Sequence, residues 1–129
     1  MNSIKSINFN FGTVQLLDNT IIRLEMFDNV TIGVDECRLL NNAIGELSNS
    51  KQSLILMVPN NGTHFTPESR TFSASEEGLR YTIADAMVVQ NLAQKLIVSF
   101  YLKVNKPPKP SKAFSSEEEA VSWLLSFNT

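Results

Sequence analysis

Two side chains with reactive chemistry occur once each, His64 and Cys37. His64 lies in the stretch Pro59-Asn60-Asn61-Gly62-Thr63-His64-Phe65-Thr66, beside two hydroxyls and close to Glu68. An imidazole there, at the carboxyl end of a strand, would serve as a base or ligand, because open α/β sheets hold their ligands outside those strand ends. The plainer reading is an ordinary loop histidine, since no second ligand or nucleophile is spaced near it. Cys37 falls on an apolar helical face with no cation on that face, which predicts an inert core thiol. A lone His and a lone Cys on different elements make no Cys-His nucleophile pair. The chain has no glycine-rich phosphate loop, no Gly-x-Ser-x-Gly elbow and no Cys/His set of ligand spacing. These absences argue against the common hydrolases, nucleotide-binding enzymes and zinc proteins. No catalytic residue, metal or cofactor is predicted, and carboxylate-only chemistry stays open.

Lysines form the other chemical feature. Lys95, Lys103, Lys106, Lys109 and Lys112 follow one another with no acidic residue between Asp85 and Glu117. The last four make a candidate basic patch for phosphate groups, anionic lipid or an acidic protein. The plainer reading is a solvated loop whose lysines protect an edge strand. Nucleic acid is not expected, because this stretch has no arginine and only Tyr101 as an exposed aromatic for stacking.

These residues need elements to position them. Residues 13–17 and 20–27 are β-rich and are separated by Asp18-Asn19, which predicts a hairpin at a sheet edge. In the second run Ile22, Leu24 and Met26 alternate with Arg23 and Glu25, a strand with one wet face. Cys37, Leu40, Ala43, Ile44 and Leu47 recur at helical spacing behind Asp35 and Glu36. Leu54–Val58 is an unbroken apolar run, as expected of a strand buried on both faces. Thr66-Pro67 predicts a helix start, and Ser73 with Glu76 a capping box for a second segment. Ala84–Val89 is strand-like. Residues 91–103 give the clearest amphipathic helix, with Leu92, Leu96 and Phe100 at spacing four, stopped by the prolines at 107, 108 and 110. Residues 112–114 suit a short strand. Ser115 or Ser116 caps a last helix carrying Ala120, Trp123, Leu124 and Phe127. Phe72, Tyr81, Phe100, Tyr101, Trp123 and Phe127 read mostly as core. The fold class is therefore α/β, a single-layer, mostly parallel sheet with an N-terminal antiparallel edge hairpin in the order β-β-α-β-α-β-α-β-α.

The chain of 129 residues suits one domain over 1–129, with 1–10 either frayed or an extra edge strand. Apolar residues at 43%, charged residues at 19% and a net charge of −2 exclude a disordered or strongly basic chain. A single cysteine forbids an intrachain disulfide. The N-terminal residues do not form a signal peptide and no run approaches a membrane span, so a cytoplasmic location without integral membrane association is expected.

Three segments carry a family resemblance. They are PESRTFSASEEG (67–78), AMVVQNLAQKLIVSFYLKVNKP (86–107) and PSKAFSSEEEAVSWL (110–124). In them and in element order the chain resembles the SpoIIAA-like proteins of the wider STAS or CRAL-TRIO-like group. The resemblance implies a regulatory or binding module. Some relatives are switched by phosphorylation of a serine in an Asp-Ser-x-Gly motif after the third strand. The matching stretch here, 58–66, has no such motif, so no phosphorylated serine is carried over. The expected role is a non-catalytic regulatory or protein-interaction module, and the alternative is a binder of a small ligand, a lipid or an anionic metabolite. The expected binding residues are Asn60, Thr63, His64, Thr66, Arg70, Gln90 and Asn91, with a protein partner or small ligand bound there. A homodimer would cover the edge hairpin.

Overall fold

The structure is a computed structural model that describes residues 3–17 and 19–128; Asp18 of the expected turn lies outside the described residues. The chain begins with β1 (Ser3–Phe9), β2 (Gly12–Leu17), β3 (Ile22–Met26) and the short β4 (Thr31–Ile32). Then come α1 (Val34–Leu47), β5 (Ser53–Pro59), the short β6 (His64–Phe65), α2 (Pro67–Ser73) and β7 (Thr82–Val88). The last elements are α3 (Leu92–Phe100), a π-helical turn (Tyr101–Asn105), β8 (Ser111–Phe114) and α4 (Glu117–Leu125).

Six strands form one sheet in the order β1-β2-β3-β5-β7-β8. The pairs β1–β2 and β2–β3 are antiparallel, while β3–β5, β5–β7 and β7–β8 are parallel. The domain is thus α/β with a mostly parallel central sheet. Each parallel step moves the same way across the sheet, so right-handed crossovers put α1, α2 and α3 on one face. The last helix, α4, covers the other face.

Side-chain alternation divides the core accordingly. Ile22, Leu24, Met26 and Ile55 meet Leu40, Ala43, Ile44 and Leu47 of α1. Leu54, Leu56, Val58, Ala84, Ala86 and Val88 meet Ala120 and Leu124 of α4. The small residues of β7 let α4 lie close to the sheet, and Ala84, Ala86 and Ala120 are all fully buried. Because β5 carries apolar side chains on both faces, it belongs at the centre, as its unbroken run required.

Four expectations are corrected. The β2–β3 hairpin is not an edge, because β1 pairs along β2 and takes the outer position. The edge on this side of the sheet, which a homodimer was expected to cover, is therefore β1. Residues after Ala74 form turns instead of a second helix: Ser75, not Ser73, supplies the local cap, its hydroxyl accepting from Gly78 N at 3.1 Å. The face of β3 expected to be wet is partly covered, since Arg23 donates from Nε and one Nη to the two carboxylate oxygens of Glu117 on α4, both at 2.9 Å. Finally, the apolar stripe of α3 does not face the core. Phe100 and Phe127 are exposed, and Tyr101 is the buried aromatic of that region.

Candidate functional site

The chain carries its loops to the carboxyl end of the parallel strands and ties them down there. The short strands β4 and β6 pair in parallel and fix the loop after β3 against the loop after β5. Gly62 sits at φ +77, and a Cβ there would run into Asn29. This turn thus needs the one residue without a side chain.

Most of the predicted binding residues are engaged in hydrogen bonds within the fold. Asn60 donates from its amide to Glu25 Oε2 and Met26 O, both at 2.9 Å. Thr63 donates to Asn60 O at 2.8 Å, and Thr66 caps α2 by accepting from Ser69 N at 3.1 Å. Gln90 donates to Pro59 O at 2.8 Å, and Asn91 donates to Asn61 Oδ1 at 3.1 Å while its own oxygen caps α3. Gln94, absent from the predicted set, reaches the same Pro59 carbonyl at 3.0 Å. The result is a clamp of side-chain amides that closes the crevice expected between the ends of β5 and β7. The strand order explains the closure. It advances without reversing, so the sheet has no switch point at which neighbouring loops would part. His64 is exposed and its side chain makes no hydrogen bond among the described residues. Arg70 donates to Phe65 O at 2.6 Å and lies over the Phe100 ring, 5.7 Å from its centroid.

The lysines are carried by different elements. Lys112 pairs in register with Ala86, whose side chain belongs to the α4 face, and its ammonium lies 5.5 Å from the centroid of Phe114. Lys95 and Lys103 belong to α3 and its π turn, on the other face of the sheet, and Lys106 ends the turn in a left-handed conformation. Lys109 lies in the loop before β8.

Two features that sequence reading did not find stand out. The first is the outer face of α3, a helix without a single buried residue. Leu92 is 70% exposed, Leu96 62% and Phe100 49%, and Ile97 and Val104 are also exposed. The inward positions are instead Gln94, Val98 and Tyr101. The π turn adds a residue to the helical repeat, and Tyr101 and Asn105 carry buried polar atoms there while Val104 faces water.

The second feature is Asp85, a carboxylate in the middle of β7 between Ala84 and Ala86. Those alanines face α4, so Asp85 faces the side of α1 and α2. Its Oδ1 is buried and has no hydrogen-bond partner among the described residues, and the same holds for the Tyr101 hydroxyl. Burial without a counter-ion favours the neutral acid and lifts the Asp85 pKa to about 7. Burial first, then the Asp85 charge, raises the Tyr101 hydroxyl well above its ordinary value. Both groups line an apolar cleft of about 80 Å³ under the 59–70 loop, with Met57, Phe65, Met87 and Ile97 in its walls and Arg70 beside them. A second cleft of about 70 Å³, on the α1 side, shares Asp85, Ser73 and Met57 and includes Cys37. Burial raises the Cys37 thiol. The sequence did carry a signal for Asp85, namely one acid inside an otherwise apolar strand.

Among the described residues no helix is long and apolar enough to cross a membrane, and no group of three or more His, Cys, Asp or Glu could hold a metal ion.

By architecture this is an α/β domain whose distinctive groups are an acid with a buried, unpartnered oxygen and an uncovered helix. The family described as Domain of unknown function (DUF7793) matches residues 15–128, and the chain belongs to that family. No curated protein matches it. A crystal structure of a protein with unknown function from Arthrobacter sp. FB24 aligns over 92% of this chain and 95% of that one, at 18% identity and a TM-score of 0.29.

Proposed function

We propose that the chain is a non-catalytic interaction module of SpoIIAA/STAS-like topology that docks a protein partner through the outer face of α3. The exposed stripe Leu92, Leu96, Ile97, Phe100 and Val104 is the observation that carries this reading. Large apolar side chains clustered on one helix face favour association over solvation. Lys95 and Lys103 on the same segment, with no acid from 86 to 116, favour a partner whose apolar groove has an acidic rim. They disfavour self-pairing of the stripe, which would bring like charges together. The test is affinity capture from native lysate with wild type, the double variant Leu96→Asp/Phe100→Asp, and His64→Ala as control. A protein retained by wild type and His64→Ala but lost from the double variant is the expected result. Retention by all three, wild-type dimers that the double variant abolishes, or binding to anionic vesicles in its place would overturn it.

A second reading is a small-ligand binding protein. The apolar cleft beneath the 59–70 loop, with unpartnered polar atoms inside it, favours this reading.

A further inference from the structure

The groups lining the cleft narrow the ligand class of that second reading, on which this inference rests. We infer that the cleft takes a small, uncharged, apolar molecule ending in a hydroxyl group, held between Asp85 and Tyr101.

Two polar atoms set the requirement. Asp85 and Tyr101 both line the cleft, while Asp85 Oδ1 and the Tyr101 hydroxyl lie buried just behind its wall with no partner among the described residues, so they are not bonded to each other and an occupant would reach them after a small side-chain rotation. Leaving two such groups unpaired is costly, and a single occupant that serves both removes the cost. One need is a donor toward the acceptor oxygen that the Asp85 carboxyl keeps whether neutral or ionised. The other is an acceptor for the Tyr101 hydrogen. A hydroxyl supplies both from one oxygen. An ammonium only donates and would leave the Tyr101 hydrogen unplaced.

Charge narrows the choice further. Arg70 lines the same cleft and disfavours a cation, and walls that are mostly apolar strip water from an ion of either sign. The other charged or titratable group near Asp85 is Cys37 of α1, buried and across the second cleft. The walls do the rest. Met57, Phe65, Met87 and Ile97 offer no hydrogen bonds, so the remainder of the volume suits a hydrocarbon body. One water molecule needs only roughly 10–15 Å³, whereas this cleft measures about 80 Å³, and of its other polar lining Ser69 already donates to Thr66 O, Arg70 donates to Phe65 O and Ser73 lies 3.9 Å from Cys37 Sγ.

Phenol and toluene are matched probes, alike in shape and different in the hydroxyl. Both are titrated into the full-length chain at neutral pH and followed by amide chemical shifts, with benzylamine as a cationic third. Phenol is expected to bind saturably and at least about tenfold more tightly than toluene, the discrimination typical of a site that hydrogen-bonds a ligand hydroxyl. Tyr101→Phe, a conservative change, and Asp85→Ala should each erase that preference. The outcomes separate the inference from the reading beneath it. Equal binding of phenol and toluene keeps a ligand cleft and overturns the hydroxyl class. Benzylamine binding more tightly than phenol also overturns it. A phenol preference that survives both substitutions places the phenol elsewhere and does the same. Binding by none of the three overturns the small-ligand reading as well.

Discussion

Replacing Asp85 with Asn keeps the side-chain shape and removes the ionisation. In the folded chain burial holds the Asp85 pKa at about 7, against an ordinary value of 3.8. Between those values the unfolded chain has released the proton and the folded chain keeps it. Stability therefore falls as pH rises through this window, with a slope of roughly 1.4 kcal/mol per pH unit, and levels off above the folded pKa. Taken over the interval from 3.8 to about 7, the full penalty is about 4 kcal/mol. Much of that would be lost to relaxation and water entry, so a measured difference of about 2–4 kcal/mol is the expectation. Other carboxylates titrate too. Glu25 is held below its ordinary value by Arg23 and then Asn60, so it costs stability as pH falls. The difference between wild type and Asp85→Asn cancels such groups. The assay is urea denaturation of both proteins at half-unit steps from pH 4 to 8. The variant should gain on wild type steadily from about pH 4 to pH 7 and hold a constant advantage above. Parallel stability curves across the whole range would refute the claim that the Asp85 carboxyl is desolvated with no partner among the described residues.

Two further predictions concern the scaffold. Arg23→Ala removes the two-pronged contact with Glu117 and a contact with Glu25 at 2.9 Å, leaving two carboxylates against the sheet. It should cost about 1–2 kcal/mol, less in high salt, measured by the same denaturation. Cys37, buried under α2 with a thiol raised by desolvation, should react with a thiol reagent at least ~100-fold more slowly in the folded chain than in urea, and rapid labelling of the native chain would contradict its burial.

Much of the frame was legible from local chemistry. The period of Cys37, Leu40, Ala43, Ile44 and Leu47 marked the buried face of α1, and all five are buried. The unbroken run Leu54–Val58 became a central parallel strand. Thr66 and Ser116 cap the helices that follow them, because a hydroxyl before a helical run has a nearby orphan N–H to satisfy. Predicted binding residues were less well served. Asn60, Thr63, Gln90 and Asn91 do gather at one end of the sheet, yet Thr63 and Gln90 bond to Asn60 and Asn91 bonds to Asn61, since polar groups brought together by a fold pair first among themselves.

What the amino-acid order determined alone was therefore periodic and local: which segments pleat, which coil, where each begins, and which side chains share a face. It did not determine what lies opposite a face. The stripe of α3 is as regular as that of α1, yet only α1 buries its stripe, because hydrophobic spacing records direction around a helix and not the presence of a neighbour. Asp85 makes the same point from inside. One acid in an apolar strand is visible in the chain, but its solitude, and the cleft it shares with Tyr101, exist only where β7 and the π turn meet in space.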